Sequence, residues 1–315
     1  MFAFALRRLA QSLPLLLLVS LLVFALLHAA PGGPLSTYLE NPNVRPQDVE
    51  RLRRALGLDR PLHEQYLAWL RAFVIGDWGY SFSDGRPVAE RIAERVPATL
   101  QLIGASFALA LLAAVPAGVL AAARRRGAAD RLTTLVGAAG TALPVFWLGL
   151  VLQLVFAVAL GWLPSSGRET VGGGDLADRL RHLVLPAVVL AVAHAAGWTR
   201  DLRVSMRGAL GERFIAAAAA RGASRRAVVW RHALRVALPP FATVVLLDAA
   251  LVASGAVVTE SIFAWPGVGS LFTESLARRD YAVLMALLMC SAAAVVAANF
   301  VADVVHRALD PRLAR

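Results

Sequence analysis

The amino-acid sequence predicts an all-α membrane protein with six transmembrane helices, and three observations carry that expectation. Of 315 residues, 58% are hydrophobic and only 17% charged, with a mean hydropathy of +0.62; a soluble globular chain carries about a quarter charged residues. The charge is also segregated between long runs that are nearly free of it. Finally, prolines sit within those runs, where a soluble helix tolerates them poorly and neighbouring helices of a bundle satisfy the freed carbonyls.

A bilayer core is crossed by about 20 apolar residues in helical form, at about 1.5 Å per residue. Six runs come close to that length or exceed it: Leu9 to Leu39, Val96 to Ala123, Leu132 to Gly167, His182 to Thr199, Val236 to Thr259 and Tyr281 to Ala302. The fifth is interrupted only by Asp248, and Pro14, Pro116, Pro144 and Pro186 lie within the others. The first run has some features of a cleaved leader, with Arg7-Arg8 ahead of an apolar middle and small residues at Ala29-Ala30. Its apolar stretch is long for a leader and continues into Pro-Gly-Gly-Pro, so it is read as a retained helix.

Arginine placement predicts orientation. One side collects eighteen: Arg7 and Arg8, Arg124, Arg125, Arg126 and Arg131, nine from Arg200 to Arg235, and Arg307, Arg312 and Arg315. The short loops opposite hold Arg168, Arg179, Arg181, Arg278 and Arg279, and nine more fall between Arg45 and Arg95, a segment too long for the bias to count. Both termini are therefore expected in the cytoplasm. The expected organisation is a cytoplasmic start and first helix (1–30), a periplasmic insertion between helices 1 and 2 (31–95), a transmembrane core (96–306) and a cytoplasmic tail (307–315). Within the insertion, one short helix should start near Pro46 and stop at Gly57, and another should start at Pro61 and end near Gly76, since proline opens helices and glycine closes them. The inner segment, Arg200 to Arg235, reads as helix interrupted at Gly208, Gly211 and Gly222.

Several chemistries are excluded. All 32 basic residues are arginine, so the chain has no lysine for a phosphate-binding loop or a Schiff base; biased arginine usage is the plain explanation. Cys290 is alone, which rules out an intrachain disulfide and any multi-cysteine metal site. The net charge of +11 is spread between apolar runs rather than gathered on one soluble face, so a membrane rather than a nucleic acid is the expected surrounding. The six histidines show no metal-ligand spacing, and no cofactor is expected. Gly172-Gly173-Gly174 follows no strand and reads as a turn.

The stretch ERFIAAAAARGASRRAVVWRHALRVALPP, from Glu212 to Pro240, resembles the coupling loop of ABC-importer permeases. That motif is an EAA-like triplet, three residues, a glycine, nine residues and an Ile-x-Leu-Pro tail. Gly222 aligns Ala216, Ala217 and Ala218 with the triplet and His232, Ala233, Leu234 and Arg235 with the tail. Alanine replaces the acidic residue, and His and Arg replace Ile and Pro. These departures are those of the dipeptide/oligopeptide/nickel-type branch, where an R-H-x-L run like Arg231 to Leu234 follows the glycine. The likeness extends along the chain through LHAAPGGP, GLDRPLHEQYLAWL, GDWGYSFSDGRPVAERIAERVPATLQL, ALPVFWLGLVLQLVFAVALGWLPSSGR, ESIFAWPGVGSL and the terminal DPR at Asp310 to Arg312. It also favours retention of the first run.

The resemblance implies a type I ABC importer permease, paired with a second homologous permease subunit and two cytoplasmic ABC ATPase subunits. A periplasmic or extracellular solute-binding protein would deliver peptides, with glutathione or nickel chelates as branch variants. ATP hydrolysis would belong to the partners. The implied ATPase-docking residues are Glu212, Phe214, Ile215, Ala217, Ala218, Arg221, Gly222, Ser224 and His232. In chemical terms, Ala216 to Ala220 allow close approach, Phe214 offers an apolar anchor, Gly222 allows the turn, and Arg221, Arg225 and Arg226 can meet acidic residues. The plainer role for these arginines is to hold anionic headgroups and set topology.

Asp248 is the one carboxylate deep in an expected span, where facing lipid costs about 2.5 to 3.5 kcal/mol. It is expected either on a translocation path, meeting a peptide amino group or cation, or in a hydrogen bond to a neighbouring helix. His194 reads as a packing residue. Glu260 and Trp265 to Gly267 should lie at the outer membrane edge, anchoring or shaping a gate. A secondary transporter would need a second intramembrane charge and inverted halves, and a membrane enzyme would need converging catalytic groups. Neither pattern is found.

Overall fold

The computed structural model describes residues 2–29, 45–55, 57–124, 127–252 and 256–309. Parts of the sequence reading lie outside them: Pro-Gly-Gly-Pro in the later part of the first run, Arg125, Arg126 and the terminal Asp310-Pro311-Arg312. Among the described residues the regular elements are helical, with one isolated antiparallel bridge between Tyr80 and Pro87. In chain order they are α1 (Phe2–Ala29), α2 (Pro46–Ala55), α3 (Leu62–Ile75), α4 (Val88–Ala123), α5 (Ala128–Ala142) and α6 (Val145–Leu152), which continues as a π-helical turn (Gln153–Ala159). Then follow α7 (Leu176–Leu210), α8 (Arg213–Ala220), α9 (Arg225–Ala227), a second π-helical turn (Val228–Ala233), α10 (Leu234–Val252), α11 (Val257–Ile262), α12 (Val268–Ala277) and α13 (Tyr281–Leu309).

Among the described residues, five helices are long and apolar enough to cross a membrane, and a bent pair makes up to six if it is one span. The third charge-free run is that pair: Asp130–Gly140 and Val145–Ala159 meet at 98°. The break has a local cause. Leu143 precedes proline, which disfavours α geometry, and it is extended at φ −81°, ψ 124°. Pro144, expected inside a span, instead sits at the N-cap just before α6. Pro14, Pro116 and Pro186 do lie inside helices. The fifth run is also divided: α10 ends at Val252 and the run's last residues open α11. At 36 residues, α4 is about 54 Å long at 1.5 Å per residue. It starts at Val88, ahead of its apolar run, so the expected boundary at residue 95 falls within the helix.

The chain forms two compact units, Met1–Thr99 with Pro266–Val296 and Leu100–Trp265 with Ala297–Arg315. In the first, α1 buries Val23 and Phe24 against Met285 and the aromatic side of α3, where Tyr66 and Trp69 pack. Ser20 Oγ and the Tyr66 hydroxyl pair at 2.8 Å. The insertion helices keep the expected limits: α2 begins at Pro46, and α3 is closed by Gly76 with φ +94°. Val88 and Ile92 pack with Leu271, Val283 and Leu287.

A polar knot sits beside that core. Buried Arg91 meets Asp280 at 3.5 Å, Asp84 at 3.4 Å and Glu274 at 3.8 Å, and donates to Ser81 Oγ at 2.8 Å. Asp280, the residue before α13, also accepts from the Ser81 hydroxyl and from the amides of Phe82 (3.2 Å), Ser83 (3.4 Å) and Val283 (3.5 Å). Burial works to raise the pKa of Asp84. The Arg86 amide, the Ser81 hydroxyl and the Arg91 and Arg86 charges outweigh it and hold the carboxyl below its ordinary value.

The second unit is built on one apolar cluster. It joins Ala110, Ala114 and Val119 of α4 to Trp198, Leu202 and Met206 of α7, and these to Ile215 of α8, Val229 and Ala233 of the π turn and Phe241 of α10. A smaller cluster packs Leu185 and Val189 against Phe263.

Candidate functional site

The alanine-rich segment forms a short helix with two distinct faces. The chain leaves α7 at Gly211. Glu212 is extended (ψ 142°), and its carbonyl accepts from Ile215 and Ala216 while its exposed side chain makes no cap bond. Gly208, expected as an interruption, lies within α7, because an isolated glycine weakens a helix without ending it. Ile215 and Ala218 are buried. Their spacing of three puts them on one face, where Ile215 joins the apolar cluster of the second unit. Phe214 is 46% exposed, and Ala217 is open beside it.

The expected docking set therefore splits. Ile215 and Ala218 hold α8 to the body of the protein and offer no side chain to a partner. Phe214, Ala217 and Arg221 face outward.

The end of α8 explains the glycine. The Gly222 amide donates to the Ala219 carbonyl at 3.0 Å and the Ala223 amide to Ala218 at 3.2 Å. This is the paired bond pattern of a Schellman cap, which needs a left-handed residue. Gly222 has φ +86°, and a Cβ there would meet nothing within 4 Å, so the demand comes from the backbone and not from crowding. Ser224 then opens α9, its hydroxyl accepting from the Ala227 amide at 3.3 Å. His232 is half-buried on the π turn that follows.

Three features of this segment were not legible beforehand. Trp230, on the same π turn, is exposed as a second large aromatic; its only signal is a tryptophan amid arginines. Arg225 Nη2 donates to the Ala123 carbonyl at 3.0 Å, capping the end of α4, so it serves this chain first. Arg203 and Arg207 of α7 clamp Asp130 of α5 at 2.9 and 2.8 Å, and Arg203 also donates to Thr134 Oγ1 at 2.7 Å. Arg221 and Arg226 are exposed, with no acidic partner among the described residues.

In α10, Asp248 accepts from the Trp198 indole N–H at 2.6 Å, and His194 Nδ1 lies 3.9 Å from the same oxygen. The hydrogen bond to a neighbouring helix is thus present, yet the side chain is also 33% exposed. Glu260 and Trp265 are fully buried, and the Trp265 amide donates to the Glu260 carbonyl at 2.8 Å. With its ring enclosed by protein, Trp265 has no face left for headgroups, which removes the anchoring role.

Two family models match. Residues 114–315 match the model described as "Binding-protein-dependent transport system inner membrane component", and residues 1–103 match the N-terminal model of such a membrane component. The chain is 42% identical over 315 residues to the oligopeptide transport system permease protein AppB of Bacillus subtilis, covering 99% of both chains. It is 38% identical over 317 residues to a putative peptide permease protein of Brucella ovis, again covering 99% of each. Identity to the glutathione transport system permease protein GsiC of Escherichia coli is 36% over 313 residues, with 99% of both covered.

Proposed function

The chain belongs to the family of binding-protein-dependent transport system inner membrane components, and on that premise we propose that it forms half of the pore of an ATP-driven peptide importer. The other half is a second, homologous permease. Two ABC ATPases lie in the cytoplasm, and a solute-binding protein delivers di- or oligopeptides from outside. The relatives named for oligopeptide, peptide and glutathione transport support this cargo class. Both termini and the segment 200–235 face the cytoplasm of a bacterium, and 31–95 faces the opposite side, as the arginine bias suggests. Energy enters through the partners, and the purified chain alone hydrolyses no ATP.

The observation that carries the proposal is the construction of α8. A small-residue helix stands on a buried Ile215, exposes Phe214 and ends at a glycine-dependent cap. That is a rigid projection suited to a groove on another protein, with Arg221 and Arg226 placed to meet acidic residues there. Glu212, Ser224 and His232 flank it; Ser224 fixes the exit from the cap. To couple, this projection must make different contacts in the two states of the ATPases.

The test is Gly222→Leu in the assembled importer. Membrane insertion should be normal and peptide uptake lost. Normal uptake by the inserted variant would overturn the docking assignment.

A further inference from the structure

The surroundings of Asp248 are one-sided in a way that docking does not explain. Trp198 is buried and fixed by edge-on rings at 5.0 Å (Phe107) and 6.5 Å (Phe241), so its indole holds Oδ2 in a set orientation. The other oxygen has no donor among the described residues, and no arginine among them lies within ion-pairing distance. His194, edge-on to Phe107 at 5.0 Å, is the ionisable neighbour. A carboxylate in a span is strongly penalised when it faces lipid, so the open side must meet water or protein. One neutral N–H orients a carboxylate without neutralising it, and a desolvated charge requires a counter-charge. A fixed arginine would supply that permanently; here the position is left open.

We propose that Asp248, positioned by Trp198 and His194, is a station on the translocation path that binds the primary ammonium group of the cargo, the amino terminus of a peptide. This rests on the permease reading above. An ammonium brings three donors to the unused oxygen and cancels its charge. An amino-blocked peptide gains nothing there, and a carboxyl terminus is repelled. The permease thereby adds a selection step of its own after delivery by the binding protein.

The full importer in proteoliposomes tests this during turnover with a water-soluble carbodiimide. The reagent should join the amino terminus of a transported peptide to Asp248, as an amide mapped by mass spectrometry, and should leave the N-acetylated peptide unattached. Glycine ethyl ester, a small free amine, measures whether the carboxylate is open to amines. Labelling by the ester without coupling of the transported peptide overturns the proposal, and so does failure of the ester to label Asp248. In the Asp248→Asn importer, KM for a free-amino peptide should rise roughly tenfold to a hundredfold, the loss expected for a charge-assisted bond. Trp198→Phe should give a smaller rise. Uptake by Asp248→Asn at saturating peptide should remain ATP-dependent, which would leave the permease reading standing whatever the KM result. Equal slowing of free and N-acetylated peptides would assign Asp248 a structural role or a partner-subunit ion pair, and would overturn the proposal.

Discussion

Asp280 and Asp248 are both carboxylates in a strongly apolar chain, and they are treated in opposite ways. Asp280 is 0% exposed, faces the Arg91 guanidinium and receives a hydroxyl and three backbone amides. One of those amides belongs to the first turn of α13, where a negative group is favoured. Asp248 is 33% exposed and has one neutral donor. A carboxylate with its lone pairs filled and its charge matched has nothing left to bind, so it is scaffold. One that is aimed but unmatched has an oxygen left for something that arrives.

Removing a partner on each side should have very different effects. Arg91→Ala strands a buried carboxylate and should cost about 3 to 5 kcal/mol of stability, read from denaturant unfolding of the detergent-solubilised protein. Asp248→Asn should cost under about 1 kcal/mol in the same assay, because an amide still accepts from Trp198. Similar losses at the two sites would erase the distinction.

Asp130→Ala should fall in between, at about 1 to 3 kcal/mol. It leaves Arg203 and Arg207 without their carboxylate, but Arg207 is 36% exposed and water screens part of the loss.

Gly222→Ala should cost about 1 to 2 kcal/mol, the strain of a left-handed alanine, with Gly222→Asn costing less; faster hydrogen exchange confined to α8 would register both. Smallest is the effect of acid on the Asp84 corner of the knot. A carboxyl held below its ordinary pKa stabilises the fold above the unfolded value of about 3.9 and loses that stabilisation as pH falls through its lower folded value. Unfolding midpoints should therefore be flat from pH 7 to pH 5 and drop only below about pH 4, and Asp84→Asn should diminish that drop.

What was legible in the sequence is what local chemistry decides. The apolar runs announced the membrane helices, and proline and glycine marked both ends of α2 and α3. The features that escaped depend on distant contacts. Arg91 and Asp280 lie 189 positions apart, and Asp130 and Arg203 lie 73 apart, so no spacing rule could pair them. The bend at Pro144 was signalled by its proline, but the same signal passes without a break at Pro14 and Pro186, where the residues ahead remain helical. In α8 the alanine run has too little contrast in polarity to say which side is buried. Phe214 was expected as an outward anchor, but only packing shows that Ile215, expected to dock beside it, faces inward. For Asp248, sequence placed the charge in a span and left its partner open; Trp198 supplied it from 50 positions away.

The apolar cluster of the second unit runs without interruption from Ile215, beneath α8, to Trp198, beneath Asp248. Close-packed interiors are stiff and compress little. A displacement of α8 would therefore be passed on through Leu202 and Met206, with little lost in side-chain slack. The indole that aims the Asp248 carboxylate belongs to the same cluster. If α8 is the docking element proposed above, a displacement there would move the carboxylate relative to whatever it holds, and grip and release of cargo would follow the motion of the proposed partners.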